Sequence, residues 1–486
     1  MRDCEAVIVG AGPNGLAAAI VLAAAGVKPL VLERAQQPGG GARTSELTLP
    51  GFFHDTCSTI HPLAFGSPLF RRLRLERYGL AAVHSPAALA HIVDTNTVVT
   101  LERSLGAMVG KLGGDGTAYH DVFAPIAEHF DALTDMALGP LRWPKKPLVL
   151  ARFGLRALRP FEEFARSEFS GRGLQALLAG IAAHAMRPLD ELATNSFALV
   201  LGGAAHAVGW PLTRGGSSSI TSVLVELLRS LGGDVELGTE VRRFEDLPAA
   251  RAYLFDVTPR QLLSIAGSRL PAGYRRRLER FRYGAGIFKV DWALSEPIPW
   301  RDPSCARAAT VHLAGDLDAI AKGESLIHDG RVPEEPFIIL VQPTLFDDTR
   351  APVGKHIAWA YCHVPHRDLT DRTAAIELAI ERFAPGFRDV VLARATRNSA
   401  ELEAYDPNYV GGDINGGSAE WRQLFFRPVL SADPYATGAP DVFLCSSSTP
   451  PGGGVHGMCG YFAAKSALAH VFGRRPSDNL DFDRER

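Results

Sequence analysis

The stretch that decides the fold runs from residue 6 to residue 33: AVIVGAGPNGLAAAIVLAAAGVKPLVLE. AVIV is an apolar, mostly β-branched run of the length of one buried strand. Gly10-Ala11-Gly12-Pro13-Asn14-Gly15 follows, then an alanine-rich helix that stops at Gly26, then a second strand closing on Glu33. Each fixed residue has a physical task. Gly10 makes the tight turn, Gly12 lets a pyrophosphate reach the backbone, and Gly15 lets helix and strand pack closely. Pro13 and Asn14 stand at the helix N-terminus, whose free N–H groups face the phosphates. Glu33, with Arg34 beside it, stands where an acid accepts hydrogen bonds from ribose hydroxyls. The stretch predicts a dinucleotide site.

Composition narrows the class. The 486 residues suffice for two or three domain-sized units. Apolar residues make up 46% and charged ones 21%, with a formal net charge of -2, so nothing favours nucleic acid as a partner. Six cysteines lie scattered without a CxxC pair, which argues against a disulfide scaffold or a zinc cluster and fits a reducing compartment; no metal site is expected. The chain enters its first strand at once, leaving no room for a signal peptide, and no apolar run reaches the roughly 18 residues of a spanning helix. A cytoplasmic protein, at most peripheral to a membrane, is expected.

After Glu33 comes RAQQPGGGARTSELTLPGFFHDTCSTIHP. A glycine cluster and Arg43 shortly after the acid extend the fingerprint. The extension resembles the FAD signature of glutathione-reductase-like flavoproteins. That resemblance implies a loop of Gly39, Gly40, Gly41 and Ala42 passing the pyrophosphate and ribityl chain, with Arg43 beside the phosphate or the ring. Farther on, SSSITSVLVELLRSLGGDVEL reads as a helix capped near Ser217, with one apolar face, followed by a strand. In such flavoproteins this unit returns the chain to the cofactor domain, and Val241 would lie against the adenine. The hairpin that usually follows is shortened here, since RRFEDLPAARAYLFDV passes almost directly to the next strand.

Five features in order carry a wider resemblance: the N-terminal fingerprint, GFFHDTCSTIHPL, the returning helix and strand, FRYGAGIFKVDWAL, and YVGGDINGG…LFFRPV…STPPGGGVHGMCGYFAA. Together they resemble the phytoene desaturase-like branch of the FAD-dependent amine oxidase superfamily, nearest the group around pyridine nucleotide-disulfide oxidoreductase domain-containing protein 2. The resemblance implies an α/β fold (α+β overall). It comprises a discontinuous Rossmann-like FAD-binding domain of glutathione-reductase type (1-84, 203-262, 430-486) and an inserted substrate domain of mixed sheet plus helices (85-202, 263-429). It implies non-covalent FAD and hydride removal from a carbon skeleton, usually a lipophilic one. A flavin amine oxidase and a redox-neutral isoprenoid isomerase share the architecture and stand as alternatives. Without a second GxGxxG or a redox disulfide, oxygen or a quinone is the expected electron acceptor.

Residues 85 to 205 read as mostly helical, and four segments between 284 and 365 read as strands of a mixed or antiparallel sheet under the substrate. Arg142, Lys145, Lys146, Arg152, Arg156 and Arg159 stand among apolar residues, either a solvated basic face or a membrane-surface entrance. His54 and Asp55 follow the cofactor loop and are the nearest acid/base candidates, with His61 behind them. Lys289 and Asp291 alternate to one face of a strand, a candidate pair lining the cavity. Tyr409, Asp413 and Asn415 lie in a glycine-flanked loop that the resemblance places near the substrate. At the C-terminal end, Gly453, Gly454 and Val455 lead into a helix near His456. That helix aims its N-terminus at the flavin edge where charge gathers on reduction, and His456 is a candidate for added positive charge.

Overall fold

A computed structural model describes residues 4–143 and 146–474, so Lys145 lies outside the described residues. The first strand, Ala6–Val9, is buried throughout and sits at the centre of a five-stranded parallel sheet. The order across it is Val442–Leu444, Ala252–Phe255, Ala6–Val9, Pro29–Leu32 and Asp234–Glu236. Parallel strands covered on both faces need near-continuous apolar runs, which AVIV, PLVL and AYLF provide. The helix Pro13–Ala24 packs against Met458–His470 and Ser218–Ser230. A Cβ on Gly460 would come within 1.8 Å of the Asn14 carbonyl, so only glycine permits that approach. Strand order reverses beside Ala6–Val9, and ligands of such sheets bind at the carboxyl ends flanking that switch point. The shortened connection between Asp234–Glu236 and Ala252–Phe255 carries one 3-10 turn, Phe244–Asp246, and no hairpin.

A second, seven-stranded sheet is mixed, one of the two arrangements expected for the segments between 284 and 365. Its order is Val391–Arg397, Gly286–Leu294, His356–Val364, Ile338–Val341, Ala308–Leu313, Ala87–Asp94 and Thr97–Glu102. All its pairings are antiparallel except that of Ala308–Leu313 with Ala87–Asp94. One face, with Val290, Trp292 and Cys362, packs on the helix Thr373–Phe383. The other, with Ile339, Val341, Trp359 and Tyr361, faces a layer of helices between Leu105 and Ala207. Residues 87 to 102 therefore correct the helical reading of that segment. TVVTLE favours a pleated, half-buried surface, and Asp94 accepts the Asn96 N–H at 2.8 Å to turn the hairpin. Ser217 does stand at the N-cap, but its hydroxyl meets His61 and the Ser58 carbonyl rather than capping the helix.

Candidate active site

The carboxyl ends of the parallel strands open into a cavity of about 1190 Å³. Single-ligand pockets run to roughly 1,000 Å³, so there is room for a dinucleotide and a second molecule. Gly10, Gly12, Pro13, Asn14, Glu33, Arg34, Gly40, Gly41, Ala42, Arg43, Val241, Gly453, Gly454 and Val455 all line it. Segments from four separate parts of the chain thus meet around one space. Gly15 stands behind the wall, where its N–H donates to Asp256 Oδ2 at 2.8 Å. His456 is fully buried behind it as well.

The glycines form a cradle that side chains would fill. A Cβ on Gly12 would lie 2.6 Å from Asp256 Oδ2, one on Gly15 2.0 Å from the Gly10 carbonyl, and one on Gly41 2.2 Å from the Tyr409 hydroxyl. Glu33 is buried, accepting the Ala11 and Ala35 N–H groups at 2.9 Å and Arg43 Nη2–H at 3.0 Å. Arg43 Nε and Asn14 Oδ1 are buried without partners. Each such group costs about 1–3 kcal/mol, and a phosphate oxygen or hydroxyl beside them removes that penalty. The donor set, the cradle and the helix N-terminus fit FAD. With FAD bound, the Pro13–Ala24 N-terminus and Arg43 would hold its phosphates, Glu33 its ribose, and the turn of Gly453 and Gly454 its redox-active half.

Four polar residues give a different result. Asp55 is fully buried in an ion pair with Arg350 at 2.9 Å and takes hydrogen bonds from Thr44, Thr59 and the Ser217 N–H. These interactions outweigh burial and hold its carboxyl below the ordinary range. His54 lies 3.5 Å from Asp291 and meets Thr48 at 2.8 Å; burial and then the charges of Lys289 and Arg350 push it down to about 3. Lys289 is ion-paired with Asp291 and sits 4.8 Å from the centre of the Trp359 ring. Burial lowers the lysine and raises the aspartate. His54, Asp55, Lys289 and Asp291 are sealed from the cavity, so the expectation of direct chemistry, and of a cavity-lining pair, is corrected. Lys289 and Asp291, two residues apart on one face of the strand Gly286–Leu294, neutralise each other beneath the aromatic floor. Within the YVGGDINGG loop, Tyr409 and Asn415 line the cavity, while Asp413 accepts the Gly284, Asn415 and Gly417 N–H groups and anchors the loop. Burial pushes His456 down to about 4, so it is neutral and its Nδ1 accepts the Met458 N–H; it adds no charge. His61 lines the cavity and is held at about 4 by burial.

Two charged residues were missed. Asp256 ends the strand Ala252–Phe255 as Glu33 follows Pro29–Leu32, and the same pattern of a strand closing on an acid marks it in AYLFD. Burial, then the neighbouring Asp406 and Glu33, raise it to about 7. Arg427, a lone charge in LFFRPV, reaches the cavity wall beside Gly452.

Residues 8–73 match the NAD(P)-binding Rossmann-like domain family. The chain is 25% identical over 546 aligned residues to pyridine nucleotide-disulfide oxidoreductase domain-containing protein 2 of Mus musculus, covering 95% of this chain and 93% of that protein. It is 26% identical over 499 residues to the zeta-carotene-forming phytoene desaturase of Myxococcus xanthus, covering 92% and 90%. Among solved structures, cyclohexylamine oxidase from Brevibacterium oxydans superposes with a TM-score of 0.59 at 15% identity, over 97% of this chain and all of that one. Fold, site and relatives together define an FAD-dependent oxidoreductase. More particularly, the chain is similar over most of its length to desaturase-like flavoenzymes and shares its fold with amine oxidases.

Proposed function

We propose that this oxidoreductase dehydrogenates the carbon skeleton of a neutral, lipophilic substrate. The carrying observation is the composition of the cavity's far end. Leu150, Phe153, Phe197, Val200, Leu201, Trp210, Ile339 and Val341 line it. The acids lining the cavity, Glu33, Glu240, Asp256 and Asp406, all belong to the dinucleotide end. An ammonium group in the apolar chamber would meet no counter-charge among the lining residues. That weighs against an amine substrate.

Bound FAD supplies the two-electron acceptor; the protein supplies position and dryness. Trp359 and Tyr361 stack at 5.8 Å with 13° between planes and form a flat wall on which an extended skeleton can lie. Apolar walls exclude water from the reacting carbon. Oxygen or a quinone then takes the electrons onward.

Entry is proposed from a membrane surface. Leu150, Phe153, Gly154 and Ala157, spaced as one face of the helix Pro147–Ala157, line the cavity. On the outside, Trp143, Leu148 and Leu155 are 90%, 85% and 76% exposed beside Arg142, Lys146 and Arg152. An apolar, cationic patch at a cavity mouth suits an anionic lipid surface. Among the described residues no helix is long and apolar enough to cross a membrane.

Anaerobic titration of the flavin-loaded protein tests the reading. Farnesol is expected to bleach the flavin and benzylamine to leave it oxidised, with faster bleaching from phosphatidylglycerol than from phosphatidylcholine vesicles. Bleaching by the amine alone supports amine oxidation. A spectral shift without bleaching supports redox-neutral isomerisation.

A further inference from the structure

Arg427 follows the helix Trp421–Phe426 and is 2% exposed. Its nitrogens donate to three carbonyls, those of Gln423 at 3.3 Å, Ser447 at 3.0 Å and Ser418 at 3.4 Å. Among the described residues no carboxylate comes within 4.0 Å of the guanidinium. Asp413, the acid whose charge acts on it, is engaged by three backbone N–H groups. A buried charge without its partner is strongly unfavourable, so a cation kept in this state waits for a counterpart brought by a ligand. Burial lowers its pKa, in line with that missing partner.

Its place identifies which part of the ligand. Arg427 lines the cavity, and a Cβ on Gly452 would come within 3.1 Å of Nη1, so the glycine turn passes directly across the guanidinium. Asn415, whose carbonyl would lie 3.0 Å from a Cβ on Gly453, lines the same cavity, as do Ala419, Leu424 and Phe425. At the phosphate end, by contrast, Arg43 is already paired with Glu33. His456, the other candidate cation near this turn, contributes no charge.

We infer that Arg427 supplies the positive charge facing the redox-active ring of bound FAD, an inference that rests on this cavity holding FAD. A ring that accepts an electron pair gathers negative charge along its N1–C2=O edge, and a desolvated guanidinium there favours the reduced form. The helix Met458–His470 starts four residues after Gly454. Arg427 thereby sets how readily the cofactor takes electrons, a task apart from binding it.

The test reads the flavin rather than turnover. Wild-type protein is expected to have a midpoint potential above that of free FAD and to form an adduct with sulfite. A potential below free FAD and no adduct overturn the inference before any variant is made. R427Q is expected to weaken sulfite affinity about tenfold or more and to lower the potential, whereas R427K stays within about threefold of wild type. Equal sulfite affinity in wild type and R427Q overturns the inference. A colourless wild-type preparation that FAD does not reconstitute defeats the cofactor site itself, and so separates the two failures.

Discussion

The two ends of the cavity are built on different physical terms. At the dinucleotide end the wall is largely backbone and glycine, a tight turn, a helix N-terminus and short segments that each carry a local motif. At the far end the wall is made of side chains from the helices Pro147–Ala157 and Asn195–Ala207 and the strands Ile338–Val341 and His356–Val364. Steric exclusion at a glycine tolerates no replacement, whereas a hydrophobic wall needs only volume and apolarity. The first kind of site leaves a pattern in the chain, and the second does not.

Breaking the polar layer beneath the floor should have the largest effect. Lys289→Met leaves Asp291 buried without its cation, which is expected to cost about 3–5 kcal/mol in chemical denaturation. The double variant K289M/D291L should recover most of that loss and keep substrate-dependent bleaching. A folded double variant that no longer bleaches would return Lys289 to a role in the chemistry.

A smaller effect is expected at the dinucleotide end, where pH sharpens the contrast. The carboxyl of Asp256 lies at the N-terminus of Pro13–Ala24, with Glu33 and Asp406 as like-charged neighbours. Because its folded pKa is raised to about 7 from the ordinary 3.8, its favourable contribution is complete below pH ~4 and is lost as pH rises through ~7. FAD, whose pyrophosphate is anionic, should then bind about three- to tenfold more tightly at pH 6 than at pH 8. Asp256→Asn should flatten that dependence in a fluorescence titration. An unchanged pH profile in the variant would remove Asp256 from the site.

This contrast also explains what could be read in advance. Gly10, Gly12, Glu33 and Arg43 were legible because a pyrophosphate demands close backbone approach and an acid at a fixed distance. The strands Gly286–Leu294 and His356–Val364 announced themselves through β-branched and aromatic residues. The hairpin from Ala87 to Glu102 was lost because an alanine-rich strand, AALAHIVD, has no strong preference of its own. His54, Asp55 and Lys289 looked chemical because polar residues near a cofactor loop usually face it. Their pairing with Thr48, Arg350 and Asp291, of which only Arg350 is remote in sequence, shows that they hold loop and sheet together. Arg427 stands in the LFFRPV motif, yet its lack of a carboxylate partner among the described residues is a three-dimensional fact.

The central claim is that FAD and substrate share one cavity at opposite ends. Val200→Trp, which fills the apolar chamber without touching the glycine cradle, tests it most directly. Flavin content and absorbance should match wild type while anaerobic bleaching by farnesol falls at least about tenfold. Loss of FAD together with bleaching, or bleaching at the wild-type rate, would contradict a cavity divided in this way.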